Sequence, residues 1–285
     1  MKLGMNLLLW TTELEPRHSK LLRDIRSWGY EGVEVPLFAP AALDVAWAAG
    51  ELKQCGLELT TVTSLPQNAN LIGESEDEQH AAIEHLRACI QAARQLGASL
   101  LCGPVYAPVG RLAGRPRTAE EWRRAVNNLG ELARIAADHG VRVAIEPLNR
   151  FETYFLNTAA DTCELIGEIG SDSLGVQLDT FHANIEEKNL AATIRQCGPR
   201  VMHVHVSEND RGIPGTGHVD WDGMFAALQK TGYDGWIVVE SFAQTIPQIA
   251  AATAMWRPVA PSAEVYAREA IQFLRSRMSI AAAGA

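Results

Sequence analysis

Four apolar, β-branched runs each stop on a side chain that can bind a metal ion or move a proton. VRVAIE ends at Glu146, LGVQLD at Asp179, RVMHVH at His205 and WIVVE at Glu240. Pro147 has no N–H and steers Glu146 away from helical geometry, so the first of these runs should end as a strand presenting its last side chain. The four residues lie 33, 26 and 35 positions apart, one strand-and-helix repeat each, which sets them on neighbouring parallel strands roughly 4.8 Å apart. Three carboxylates converging there need a counter-charge. Two of them about 4 Å apart repel by about 4 kcal/mol at an effective dielectric of 20. One divalent cation removes the problem, and three oxygens with one imidazole suit Mn²⁺, Co²⁺ or Mg²⁺ better than Zn²⁺, which prefers more nitrogen and sulfur. The competing reading, four separate strand ends solvated in loops, must treat the one-repeat spacing as chance.

Other polar residues fall around this set. His203, two before His205, shares its strand face one layer deeper and reads as a hydrogen-bonded core histidine. His182, three beyond Asp179, is expected in the following loop, touching a ligand or solvent. Arg211 sits in the glycine-rich stretch SENDRGIPGTGHVDW, where a guanidinium could hold substrate oxygens; the stretch lacks the G-K-[ST] ending of a phosphate-cradling loop. Glu34, in GVEVP, is a candidate supporting carboxylate. His18, His80, His85 and His139 fall in helical stretches and read as surface residues.

The frame that positions these ends is an alternation of strand-like and helix-like runs along the whole chain. Strands are expected at 2–9, 32–37, 57–62 and 98–102 and then at the four runs above. The intervening helices are 15–28, 41–55, 76–96, 118–139, 158–169, 189–197, 221–231 and 262–277. Glycines close several helices, and Thr118 with Glu120 and Glu121 marks an N-terminus. A long loop, GPVYAPVGRLAGRPR, reads as a flap. Eight such units predict one (β/α)₈, or TIM, barrel over residues 1–285, with its site at the C-terminal strand ends. An open doubly wound sheet is the rival, but no G-x-G-x-x-G follows the first strand.

Composition excludes other classes. The 285 residues are 47% hydrophobic and carry a net charge of −9, with no Lys/Arg-rich run to follow a nucleic-acid backbone. Five cysteines, at 55, 89, 102, 163 and 197, show no C-x-x-C spacing and suit a reducing compartment. MKLGMNLLLW is too short to span a membrane and lacks a signal-peptide cleavage pattern. The cytoplasm, with no membrane or nucleic-acid partner, is the expected setting, and the Ala-rich tail SIAAAGA is expected to fray.

The segments AIEPLNRFE, QLDTFHANIEE, HVHVSENDRGIPGTGHVDW, VVESF and the late MWRP resemble the ketose 3-epimerases. These are the D-tagatose, D-psicose and L-ribulose 3-epimerases of the xylose-isomerase-like barrels. The resemblance is most specific between Ala144 and Phe242. It implies that Glu146, Asp179, His205 and Glu240 hold one Mn²⁺-type ion and that Glu146 and Glu240 face C3 of a ketose from opposite sides. It also implies that Glu152, His182 and Arg211 bond the O1–O2 end, and that the chain forms a homodimer or homotetramer. Trp10, Ser64 and Tyr106 would line the far end of the sugar, and Asn6 stands where the relatives have an aromatic. Acidified by the neighbouring C2 carbonyl, the C3 proton would pass to one glutamate while the other returns one to the opposite face. An aldose–ketose isomerase of the hydroxypyruvate type is the nearest alternative. A dehydratase, a DNA-repair endonuclease and a sugar-binding barrel are further ones.

Overall fold

In a computed structural model that describes residues 1–283, eight parallel strands close into a barrel in chain order, with β1 paired to both β2 and β8. The strands are β1 (Lys2–Asn6), β2 (Gly32–Pro36), β3 (Glu58–Val62), β4 (Leu100–Gly103), β5 (Arg142–Ile145), β6 (Leu174–Asp179), β7 (Val201–Val206) and β8 (Trp236–Val239). The surrounding helices are α1 (Ser19–Trp28), α2 (Val45–Cys55), α3 (Glu76–Leu96), α4 (Ala119–His139), α5 (Ala159–Ile169), α6 (Thr180–Glu186), α7 (Leu190–Cys197), α8 (Trp221–Lys230), α9 (Pro247–Ala252) and α10 (Ala263–Ala283). The expected (β/α)₈ barrel is what forms. Among the described residues no helix is long and apolar enough to cross a membrane.

Local chemistry explains the boundaries. The Ser75, Thr118, Thr158, Asn189 and Asp220 side chains each accept a backbone N–H in the first turn of the helix that follows, and Thr118 and Glu121 do so reciprocally, satisfying donors that the helix leaves open. At the other end Gly29, Gly97 and Gly140 take left-handed φ values of 108°, 92° and 63°, which a residue with a Cβ resists. Gly103 is needed for a second reason. A Cβ there would run into the Thr63 carbonyl; on the β5 side the Gly103 carbonyl accepts the Glu146 N–H at 3.1 Å.

Several expectations need correction. Helices α6 and α9 were not anticipated. Asp179 caps α6 with its own side chain, accepting the Phe181 N–H at 2.8 Å, so His182 lies on a helix rather than in a loop. Pro247 stands in the first turn of α9, where its missing N–H costs nothing. Helix α10 continues through Ala283 instead of stopping at 277; of the fraying tail, residues 284–285 lie outside the described residues. Only His80 of the four helical histidines is exposed. His18 Nδ1 accepts the Glu15 N–H, His85 lies against Thr63 and Cys89, and His139 bonds the Ile135 carbonyl. The arginines of the 103–117 loop are anchored to the scaffold: Arg111 to Glu78, Arg115 to Glu121, Arg117 to Asp161.

Candidate active site and metal centre

The last four strands deliver one polar side chain each to the C-terminal mouth. Asp179 is the last residue of β6 and stands in register with His205 of β7, which is in turn opposite Val238 of β8. Glu146 and Glu240 follow β5 and β8 by one position, and the Glu240 N–H extends the ladder by donating to the Val206 carbonyl at 3.1 Å. All four are buried. One donor atom from each lies within 4.8 Å of those of the others.

This set fits a divalent cation on its own chemistry. Glu146 Oε1 is buried with no hydrogen-bond partner among the described residues, a costly state for a carboxylate oxygen unless something positive faces it. His205 could serve as a ligand: its Nε2 lies 2.6 Å from Glu34 Oε1, leaving Nδ1 3.2 Å from Glu240 Oε1 and 3.0 Å from Gln177 Nε2. A carboxylate behind a ligating imidazole fixes ring orientation and basicity.

Electrostatics divides the acids. Burial, then Glu240 and Asp179, push the Glu146 carboxyl well above its ordinary value. Burial pushes Glu240 the same way, but His205 and Arg211 outweigh it and hold that carboxyl low. Burial pulls His205 down, yet Glu240 and Glu34 more than compensate and raise it well above 6.5. These directions belong to the protein without an ion, which would favour every ionised carboxylate and a neutral imidazole.

Arg211 supplies the fixed positive charge. Its Nη1 donates to Asp179 Oδ2 at 2.6 Å and Glu240 Oε2 at 3.0 Å, while its guanidinium lies 4.0 Å from the Phe181 ring centre and 4.9 Å from that of Phe242. The backbone there is in the left-handed region, φ 66°, a strain that surrounding bonds must hold. The Arg211 N–H donates to the Glu208 carbonyl and Ser241 Oγ donates to the Arg211 carbonyl. The fully buried Glu208 carboxylate ties the loop by accepting from Gly215 N, Val219 N and Trp221 Nε1. Sequence reasoning missed Glu208; an acid two residues past a strand, before a glycine-rich loop and a tryptophan, was the available signal.

His182 and Glu152 complete the wall. The Asn149 backbone N–H donates to His182 Nδ1 at 3.1 Å. Burial, with Arg211 and His205, holds the ring well below 6.5, so the imidazole is neutral, and the Arg211 guanidinium directs an N–H at its Nε2. That atom lies 3.1 Å from Arg211 Nη2. Asn149 Nδ2 donates to Glu152 Oε1 at 2.8 Å. Glu146, Glu152, His182, Arg211 and Glu240 all line one cavity of about 270 Å³. Its far end is formed by Leu8, Phe38, Val62 and Ile249 together with Ser64. Trp10 and Tyr106 are not there: Trp10 packs on Trp28, and Tyr106 is buried against Phe155.

Beneath the site Glu34, fully buried, accepts from Asn6 Nδ2, Thr60 Oγ1 and Cys102 Sγ and faces both His203 and His205. His203 is thus the hydrogen-bonded core histidine that its register suggested. Glu34, Cys102, His203 and His205 could themselves hold an ion; Glu34 already bonds the other three, while His203 Nδ1 is buried without a partner among the described residues.

The xylose isomerase-like TIM barrel family model matches residues 22–277. The probable ketose 3-epimerase of Synechocystis sp. is 34% identical over 275 residues, covering 96% of each chain. The ketose 3-epimerase of Arthrobacter globiformis is 31% identical, covering 98% of this chain and 97% of its own. The crystal structure of D-allulose 3-epimerase from Methylomonas sp. in complex with D-allulose superposes with a TM-score of 0.92 at 29% identity, covering 97% of both chains. With the fold, the mouth of acids and these matches together, the chain belongs to the ketose 3-epimerases of the xylose isomerase-like TIM-barrel family.

Proposed function

We propose that the protein epimerises a free ketose at C3, using Glu146 and Glu240 as the two proton-transfer groups. The observation that carries this is their shared cavity: two carboxylates from strands three places apart on the rim border one space of sugar size. Glu146, Asp179, His205 through Nδ1, and Glu240 would hold the ion, with Mn²⁺ favoured by the donor set and Co²⁺ or Mg²⁺ accommodated. When bound, the ion supplies Lewis-acid polarisation of the ketose oxygens next to C3, worth several kcal/mol.

The chain's own groups do the rest. Arg211 Nη2, held 3.1 Å from His182 Nε2 on the same cavity wall, is the donor placed to receive the C2 oxygen as negative charge builds on it in the enediolate. Glu152, half-buried beside Asn149, accepts from the O1 hydroxyl. One glutamate breaks the C3–H bond and keeps the proton while the electron pair moves into the C2 carbonyl; the other protonates C3 from the far side. Groups of this kind are worth roughly 10²- to 10⁴-fold each. Besides Arg211, already paired with Asp179 and Glu240, no cationic side chain borders the cavity among the described residues, which supports an unphosphorylated substrate. A cytoplasmic setting and a homodimer or homotetramer rest on the five free cysteines and on the family resemblance.

Product analysis tests the reading. The Mn²⁺-loaded protein should convert D-fructose, D-tagatose or L-ribulose into the C3 epimer without aldose, whereas aldose formation would favour an aldose–ketose isomerase.

A further inference from the structure

We infer that Asn6 is a positioning residue that clamps one member of the glutamate pair, Glu240, and does not touch the other, Glu146. This rests on the two-glutamate reading above.

Asn6 ends β1, the strand between β2 and β8, and is fully buried. It does not border the cavity, so its effect on a substrate must pass through another side chain. Its amide orientation is determined by the backbone: Oδ1 accepts the Leu8 N–H at 2.8 Å, which leaves Nδ2 as the end facing the barrel interior. The two Nδ2 hydrogens then meet two carboxylates, Glu34 Oε1 at 2.9 Å and Glu240 Oε1 at 3.1 Å. His205 joins the same two acids, with Nε2 to Glu34 and Nδ1 to Glu240. Two parallel bridges, one amide and one imidazole, therefore run from a buried anchor to the working carboxylate. Arg211 holds the opposite oxygen, Oε2.

The contrast with Glu146 is the informative part. Glu240 has donors on both oxygens, while Glu146 Oε1 has none among the described residues. A carboxylate placed by three contacts, of which Asn6 and Arg211 are donors whatever the state of the imidazole, keeps its aim at C3; an error of about 1 Å in such an aim can cost on the order of 10²-fold. Asn6 is the one of the three whose removal deletes neither a candidate metal ligand nor a group on the substrate's side of Glu240.

The test uses Mn²⁺-saturated wild type and Asn6→Ala, with Asn6→Ser repeating the comparison should the first variant fail to fold. Each of two C3-epimeric ketoses is incubated in D₂O, and deuterium entering C3 of the unconverted sugar is measured against conversion to the epimer. Conversion should fall roughly 10- to 100-fold with KM within about 2-fold, since no substrate contact is lost. For the epimer whose C3–H faces Glu146, exchange should persist, raising its exchange-to-conversion ratio by at least about 10-fold; for the other epimer exchange should fall with conversion. An unchanged ratio for both epimers would overturn the inference, as would a loss of Mn²⁺ affinity large enough to account for the slower turnover. Failure of wild type to convert either ketose would instead refute the two-glutamate reading itself.

Discussion

Glu34 Oε1 and His205 Nε2 lie 2.6 Å apart in the buried floor beneath the four strand ends. With that nitrogen's proton taken by Glu34, His205 presents Nδ1 to the carboxylates above. Partners of this kind typically carry 10- to 100-fold in metal affinity. Glu34→Gln should weaken Mn²⁺ binding by about that factor, measured by calorimetric titration of metal-free protein. An unaltered affinity would remove Glu34 from any role in preparing the ligand.

Arg211 and a divalent cation offer positive charge to the same acids, Asp179 and Glu240. Arg211→Met should therefore destabilise the metal-free protein by about 3–5 kcal/mol, the cost of leaving buried charges unpaired, and the deficit should shrink when Mn²⁺ is added. Urea unfolding with EDTA and with Mn²⁺ gives both numbers. Equal deficits under the two conditions would mean that the guanidinium and the ion do not share a task.

A pH effect on stability is expected away from the mouth. Burial alone would raise the Glu121 carboxyl, but Arg115, Tyr154 and Thr118 outweigh it and hold it at about 2, against an ordinary 4.5. Because the folded value is the lower one, its stabilisation is complete above about pH 4.5 and is lost as the pH falls towards 2. Glu121→Gln should lower Tm at pH 7, by on the order of 2–4 °C per kcal/mol lost, and the gap from wild type should shrink to roughly a quarter by pH 2.5. A gap that stays constant with pH would show that the ion pair is not what stabilises this corner.

What could be read from the chain alone divides by distance in sequence. Each ligand-type residue ends its own apolar run, so period and punctuation placed Glu146, Asp179, His205 and Glu240 without long-range information. The closing glycines and Thr118 located helix ends in the same way. The support beneath the mouth was harder to read. Asn6 and Glu240 are 234 residues apart and meet only because β1 closes the barrel against β8, a contact with no local signature. Helix α6 was hidden for another reason: the aspartate read as a metal ligand also caps the helix after it, and one side chain was given one task. Trp10 and Tyr106 were placed at the sugar's far end by the family resemblance, but each packs on an aromatic partner instead, and Phe38 and Ile249 border the cavity.

The position of isotope incorporation bears most directly on the central claim, that Glu146 and Glu240 exchange a proton at one sugar carbon. With Mn²⁺-loaded protein and D-fructose in D₂O, followed by carbon and proton NMR, the expected product carries deuterium at C3 and the inverted C3 configuration. Inversion should disappear in both Glu146→Gln and Glu240→Gln, with deuterium entering C3 of unconverted D-fructose only in the variant that keeps the glutamate facing its C3–H. Deuterium at C1 or C2 with an aldose product, or full turnover in either variant, would contradict it.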